Sequence, residues 1–203
     1  MPGCIRWRRS RAAWLAIAAT VFASAVSSPP LAAQTLAERL QLCATCHGET
    51  GNSKMENTPS LAGQPELFIT NQLILMREGV RKSEVMAPFV KGLKDDVITA
   101  MAAHFAKLRP EPPAENTSVD AALAKRGAQL AVGLHCASCH RPDYAGQEQM
   151  PRLAHQRIDY LILSLTDYRE GRRSGIDTSM NGVMVGVSDP DIRALAHYLA
   201  TVR

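Results

Sequence analysis

One five-residue motif occurs twice in this chain of 203 residues, and that repetition constrains the fold more than any other feature. The motif Cys-x-x-Cys-His occupies residues 43–47 and returns at residues 136–140, displaced by 93. Two further segments recur in the same order: Pro-x-Leu-Ala-x-Gln at 59–64 and 151–156, and Arg-Glu-Gly at 77–79 and 169–171. Each half then contains a further methionine and ends in an apolar helical pattern. This ordered recurrence indicates a duplicated domain.

A proline-rich segment separates the two copies. Residues 109–118 contain three prolines among polar side chains, and such a segment cannot continue a helix or a strand. We therefore predict two domains, at 34–112 and 113–203. A domain of about 80–90 residues has a marginal core and usually needs a metal or a cofactor to stabilise it.

Apolar residues at helical spacing predict an all-α fold for both halves. In the first half, one helix leads into the motif. A second helix has Pro65 in its first turn and stops at Gly79. A closing helix begins near Asp95 and extends to Leu108. The second half repeats this plan with helices before Cys136, from about Arg157 to Glu170, and from Asp189 to Val202. We predict no strand, since β-branched runs are sparse and aromatic residues make up only 5% of the chain.

Cys-x-x-Cys-His is the attachment motif of c-type haem. Residues i, i+3 and i+4 lie on one face of a helix, so two thiols can bond to the haem vinyl groups while the imidazole reaches the iron. We therefore predict two covalently bound haem c groups. The predicted attachment residues are Cys43, Cys46, Cys136 and Cys139, and the predicted proximal ligands are His47 and His140.

The same cysteines admit other interpretations. Four cysteines in an exported chain usually indicate disulfides, and two Cys-x-x-Cys pairs could bind zinc. A thioredoxin-like dithiol requires a βαβ setting, which this sequence does not predict. Each pair has its own histidine in its own predicted domain, and this arrangement favours haem.

The sixth ligand of each iron decides between electron transfer and ligand binding, because methionine there raises the reduction potential whereas an empty position favours peroxidase chemistry. In the first half the candidate is Met86, in a helix-poor stretch seven residues before Leu93. In the second half Met180 and Met184 compete. Met180 precedes Val187 by seven residues, so the register of the repeat favours Met180, and Met184 has no counterpart.

Three further methionines have simpler interpretations than axial ligation. Met76 and Met101 fall on apolar helical stripes, where methionine fills core space, and Met150 suggests local packing. A bis-histidine haem is the alternative to methionine ligation, and its candidate ligands are His104, His135, His155 and His197.

Four other residues recur at matched positions in the two halves. Arg81 and Arg173 precede the candidate methionines, and each is either a partner for a haem propionate or a solvated charge near a helix end. Pro59 and Pro151 are expected to pack against the histidine side of each haem.

Residues 1–33 are predicted to be a cleaved signal peptide. Four arginines precede an apolar run from Ala12 to about Val26, which is shorter than the roughly 20 residues that span a bilayer. An uncleaved anchor is the alternative. The leader holds four of the 23 basic residues, which leaves 19 basic against 19 acidic residues. A chain so balanced has no basic stripe for binding nucleic acid.

In combination, these motifs resemble the dihaem cytochrome c4 family over residues 34–203. The resemblance implies two class I cytochrome c domains packed as a pseudo-twofold pair, with haems close enough to exchange electrons. It implies His/Met ligation of each iron, by His47 with Met86 and by His140 with Met180. It also implies a periplasmic carrier that associates transiently with membrane complexes, between a quinol-oxidising donor and a terminal oxidase or reductase.

Two departures concern the second haem pocket more than the first. His155 replaces Gly63 of the first repeat, and two additional residues separate Arg173 from Met180. The predicted function is a mobile electron carrier without substrate turnover of its own. The alternatives are a haem enzyme such as a dihaem peroxidase, and the cytochrome subunit of a larger oxidoreductase complex.

Overall fold

The computed structural model describes residues 34–112 and 119–202. Within these ranges it contains nine helices and no strand, apart from an isolated bridge between Gln147 and Met150. The predicted all-α class is therefore confirmed. The predicted signal peptide and most of the predicted linker lie outside the described residues. No helix in the described part is long and apolar enough to cross a membrane.

The helices form two sets that follow each other along the chain. The first set is α1 Leu36–His47, α2 Glu66–Arg77, α3 Ala87–Val90 and α4 Asp95–Ala106. The second set is α5 Ala121–Gly133, α6 Cys136–His140, α7 Ile158–Arg169, α8 Ser179–Met184 and α9 Asp189–Thr201. The longer helices agree with the predicted ones to within a few residues. Helices α3 and α8 were not predicted, because elements of this length are too short to show a period.

The two attachment motifs enter the fold differently. In the first half the motif is the last part of α1, whose first turn is stabilised by a capping box between Thr35 and Glu38. In the second half α5 stops at Gly133, and His135 adopts a left-handed backbone with φ 54° before the motif begins α6. The second motif therefore occupies a helical turn of its own.

Each half has its own apolar core. In the first half α2 packs on α4, around Ile69, Leu73, Ile98 and Phe105. In the second half α9 packs on α5 and α7; the buried residues there include Leu161, Leu165, Leu195 and Leu199. Each core draws on only one copy of the repeat, as duplication leads one to expect. The domain boundary between residues 112 and 113 stays a prediction.

Helices α5 and α9 approach each other closely at a glycine. Gly127 of α5 is buried against Ala194 of α9, and a Cβ added at Gly127 would overlap the carbonyl oxygen of Ala194. The same Cβ would lie 2.7 Å from the Cβ of Tyr198. A side chain at this position would therefore push the two helices apart.

We expect Gly127→Ala to lower the free energy of unfolding by about 1–3 kcal/mol, the usual cost of overpacking. Gly133 lies on the same helix, and an added Cβ there meets nothing within 4 Å. The control Gly133→Ala should be neutral or stabilising by up to about 1 kcal/mol, the helix propensity gained. Denaturant unfolding of the two variants tests this, and equal effects would contradict the close approach.

Candidate functional site

A cavity of about 610 Å³ extends between the helices of both halves. Both predicted proximal ligands, His47 and His140, line this cavity, and so do both predicted methionines, Met86 and Met180. The remaining wall is mainly apolar, and the volume lies in the range of ligand-binding pockets. The structure therefore brings the four predicted axial ligands to one space.

The predicted attachment cysteines differ in their exposure. Cys43 and Cys46 line the cavity and are half-buried. Cys136 packs against the second core, and Cys139 is exposed. Burial raises the pKa of the Cys43 and Cys136 thiols, so both stay protonated at neutral pH. In the described residues no group of three or more His, Cys, Asp and Glu side chains is arranged to hold a metal ion.

Each proximal histidine is fixed by the carbonyl group of a proline. His47 Nδ1 lies 2.8 Å from the carbonyl oxygen of Pro59, and His140 Nδ1 lies 2.8 Å from that of Pro151. A carbonyl oxygen can only accept, so Nδ1 carries the proton and Nε2 keeps its lone pair. The prolines, predicted only to pack, therefore also set the tautomer of each imidazole and its orientation.

Both imidazoles are suited to bind a metal. Burial lowers the pKa of His47 and of His140 more than the proline carbonyls raise it, so both rings are neutral at pH 7. His140 Nε2 is buried without a hydrogen-bond partner. Leaving such a group unsatisfied costs about 1–3 kcal/mol, and an iron ligated by this nitrogen would remove that cost. The residues present therefore fit a haem c.

The two candidate methionines of the second half have different environments. Met180 is half-buried and lines the cavity, whereas Met184 is only 1% exposed and belongs to the second core. Met184 follows Met180 by four residues, as Val90 follows Met86, and Val90 is also 1% exposed. Met184 is thus the core counterpart of Val90.

Three methionines that the sequence analysis assigned to packing also reach the cavity. Met76, Met101 and Met150 all line its wall, and Met101 is buried in the first core. For Met150 the wall position adds to the local packing that we predicted.

The arginine of each Arg-Glu-Gly segment anchors the chain that follows the candidate methionine. Arg77 donates to the carbonyl oxygen of Leu93 at 2.8 Å and to Asp95 at 2.6 Å. Arg169 makes the same pair of bonds, at 3.0 Å to Val187 and 2.6 Å to Asp189. The recurring motif thus ties α2 and α7 to the point where each methionine segment ends and the closing helix begins.

The candidate bis-histidine ligands lie away from the cavity. None of the four histidines is among the described residues that line the cavity. His104 and His135 are exposed, and His197 Nδ1 accepts a hydrogen bond from the backbone of Asp120 at 2.9 Å. His155 has φ 59°, close to the 64° of Gly63, so the substitution keeps the left-handed backbone of the first repeat.

Arg81 and Arg173 meet between the two halves. Arg81 donates to Gln72 at 2.7 Å and to the Tyr160 hydroxyl at 3.3 Å. Arg173 donates to Ser164 at 2.8 Å and to the same hydroxyl at 3.2 Å. We call these five residues the arginine cluster, and all of them line the cavity. Arg173 is only 6% exposed, so its interpretation as a solvated charge was wrong.

The arginine cluster concentrates positive charge. Burial raises the pKa of the Tyr160 phenol, but the charges of Arg173 and Arg81 oppose burial and bring the pKa down to about 7. Burial, with the nearby Arg173, lowers the pKa of Arg81. Guanidinium groups match carboxylates in geometry and charge. The cluster therefore suits the carboxylates of a haem at the junction of the halves.

Sequence reasoning missed several polar residues at this junction. Gln64 and Gln156 each bind the backbone of the other half. Arg152 donates to the carbonyl oxygen of Ala62 at 2.8 Å, and burial lowers its pKa to about 10, which leaves it charged at pH 7. The glutamines had left a signal, because the last position of Pro-x-Leu-Ala-x-Gln is the same polar residue in both copies.

Comparisons with known proteins agree with this geometry. The Cytochrome c family model matches residues 124–203. The cytochrome c4 of Stutzerimonas stutzeri is 34% identical over 181 residues, which cover 79% of this chain and 84% of that protein. The chain belongs to the cytochrome c4 family. This confirms the resemblance, and with it the prediction of covalently bound haem c.

Two other matches extend the comparison. The crystal structure of reduced recombinant cytochrome c4 from Pseudomonas stutzeri has a TM-score of 0.75 and 31% identity, covering 84% of this chain and all of that one. A thiosulfate dehydrogenase electron acceptor of Thiomonas intermedia is 31% identical over 88% of this chain and 82% of its own. The protein is thus an electron-transfer cytochrome of the c4 family.

Proposed function

We propose that this protein is a periplasmic electron carrier with one haem c in each half and with His/Met ligation at both irons. The observation that carries the proposal is the repeat-equivalent placement, in one cavity, of two buried histidines oriented by proline carbonyls and two half-buried methionines. The proposed attachment residues are Cys43, Cys46, Cys136 and Cys139; the proposed axial ligands are His47, Met86, His140 and Met180.

The chain's own residues account for most of what a carrier requires. Haem c, when bound, supplies an iron that takes up and releases one electron. The proline carbonyls hold each imidazole in one orientation, and Arg77 and Arg169 hold the chain beyond each methionine. A thioether ligand and an apolar wall exclude water and favour a high potential.

The arginine cluster supports a role in binding carboxylates. Arg81, from the first half, and Arg173, from the second, share the Tyr160 hydroxyl, so a carboxylate bound there would contact both halves. We propose that the haem propionates approach this cluster. Their negative charge would compensate the two guanidinium groups, which the Tyr160 phenol, with a pKa of about 7, neutralises only in part.

For the partners, we propose a quinol-oxidising complex as electron donor and a terminal oxidase or reductase as acceptor, each bound transiently at the membrane. The relative from Thiomonas intermedia is named for accepting electrons from thiosulfate dehydrogenase. An enzyme that oxidises a sulfur compound is therefore a second candidate donor. Stopped-flow reduction of the protein by each class of donor distinguishes them.

The second axial methionine can be identified by paired substitutions. We expect the wild type, produced with haem-attachment machinery, to carry two covalent haems and the charge-transfer band of methionine ligation. Met180→Ala should halve that band, because one iron loses its sulfur ligand. Met184→Ala should leave the band intact and lower the free energy of unfolding by about 2–5 kcal/mol, the cost of a core cavity. The absorption spectrum and denaturant unfolding give these values.

Other results would favour a different function. A wild type with one haem, or with a high-spin iron, would turn the proposal toward ligand binding or peroxidase chemistry. The reduced carrier should not bind carbon monoxide rapidly at either iron, and it should not turn over peroxide.

The arginine cluster should also affect the reduction potential of the haems. Arg173→Met removes a buried positive charge, so we expect reduction to become less favourable by about 1–2 kcal/mol, the energy of unit charges roughly 8–16 Å apart at an effective dielectric constant of about 20. Arg172 is the matched control, since its side chain is 57% exposed and pairs with Asp167. Arg172→Met should change the potential little, because exposed charges are screened. Spectroelectrochemical titration compares the two.

A further inference from the structure

Two glutamines cross the junction between the halves in opposite directions. Gln156 Oε1 accepts from the backbone N–H of Ser60 at 2.8 Å, and Gln156 Nε2 donates to the Ser60 carbonyl at 2.9 Å. Gln64 Oε1 likewise accepts from the backbone N–H of Arg152 at 3.0 Å, and Gln64 Nε2 donates to the Arg152 carbonyl at 2.9 Å. Each glutamine of one half thus holds both backbone groups of one residue in the other half.

The residue that each glutamine holds directly follows the proline that orients a histidine. The N–H of Ser60 and the carbonyl of Pro59 belong to one peptide group, and that carbonyl accepts from His47 Nδ1. The N–H of Arg152 and the carbonyl of Pro151 likewise share one peptide group, which accepts from His140 Nδ1. One peptide group therefore separates each histidine from a glutamine of the opposite half.

Both connections are shielded from water. Ser60, Gln64 and Gln156 are each 3% exposed, and Arg152 is 4% exposed. In such surroundings, hydrogen bonds that share a polarisable group strengthen one another. A peptide group is polarisable in this sense, because its resonance links the carbonyl oxygen with the N–H. Accepting the N–H on one side makes the carbonyl a better acceptor on the other.

We propose that Gln64 and Gln156 are positioning residues that set the reduction potential of the haem in the opposite half, each acting through a proline peptide on the axial histidine. This inference rests on the proposed ligation by His47 and His140. Gln156 acts on haem 1 and Gln64 acts on haem 2. The arrangement is reciprocal, so each haem responds to the packing of the other half.

The direction of the effect follows from the chemistry of the ligand. A stronger acceptor at Nδ1 makes the imidazole a better electron donor to iron, which stabilises the oxidised state and lowers the potential. Gln156 also accepts from its neighbour's backbone, the N–H of Arg157, at 3.1 Å. Removing the glutamine amide should therefore weaken the hydrogen bond that His47 Nδ1 donates to the Pro59 carbonyl and raise the reduction potential of haem 1.

The test is a crossed pair of substitutions in the haem-loaded protein. We expect Gln156→Met to raise the equilibrium constant for reduction of haem 1 about two- to threefold, or about 18–28 mV at 59 mV per tenfold, with little change at haem 2. Gln64→Met should do the same for haem 2 and leave haem 1 nearly unchanged. A redox titration monitored by NMR gives the two reduction potentials. The signals used are the methyl groups of the oxidised haems, each assigned to its half.

A matched control removes a different contact across the junction. Gln72 accepts from Arg173 of the other half at 3.3 Å and from Arg81 at 2.7 Å, and these described bonds involve neither proline peptide. Gln72→Met should therefore not produce the crossed pattern. If Gln156→Met does not fold, Gln156→Glu keeps an acceptor for the Ser60 N–H, and its carboxylate should lower the potential of haem 1 more than that of haem 2.

The outcomes separate this inference from the proposed function. Equal shifts at both haems, or a larger shift in the haem of the substituted half, would overturn the role of the glutamines. That conclusion holds when the wild type shows two haems with His/Met ligation. A wild type without them would instead overturn the proposed function, and the glutamine inference with it.

Discussion

The hydrogen bond from each buried histidine to a proline carbonyl is the interaction on which the other features of the site depend. It places the proton of His47 and of His140 on Nδ1, while burial keeps both rings neutral and Nε2 keeps its lone pair. For His140 that nitrogen is buried without a hydrogen-bond partner, which costs free energy. An iron ligated by this nitrogen would remove that cost. Folding and haem attachment should therefore stabilise each other in the second half.

In each half, packed helices and one arginine hold the segment that carries the candidate methionine. The closing helices α4 and α9 pack on α2 and α7, and the arginines of the Arg-Glu-Gly segments join these helices to the start of the closing ones. Met86 lies in the segment between Arg77 and Asp95, and Met180 lies in the segment between Arg169 and Asp189. Fixing both ends of a short segment restricts where its methionine can reach, and this is what a stable axial ligand needs.

The amino-acid sequence predicted the parts of the fold that depend on local pattern. The long helices were predictable because their apolar residues recur at helical spacing. The distinction between Met180 and Met184 followed from the register of the repeat. The burial of Met184, which matches that of its repeat equivalent Val90 in the first core, supports this distinction. Helices α3 and α8 were too short to leave a pattern, and the break at His135 depends on one left-handed residue.

The residues at the junction could not be predicted in the same way. Sequence pattern identifies Gln64 and Gln156 as recurring, but their partners are 88 and 96 residues away in the other half. The burial of Arg173 likewise arises only when the halves pack, because its partners include Gln72 of the first half. Contacts between two copies of a domain depend on how the copies dock, and a repeat carries no information on that.

Docking of the two halves also concentrates charge. Arg81, Arg152 and Arg173 lie at the junction, and within the described ranges none of the three forms an ion pair. Burying three cations is unfavourable, since a buried charge is costly until an opposite charge approaches it, and the Tyr160 phenol, with a pKa of about 7, offsets only part of the charge of Arg81 and Arg173. Two haems with their propionates would bring that opposite charge. The cofactors would then hold the halves together as well as carry the electrons, so the junction and the haem pockets form one electrostatic unit.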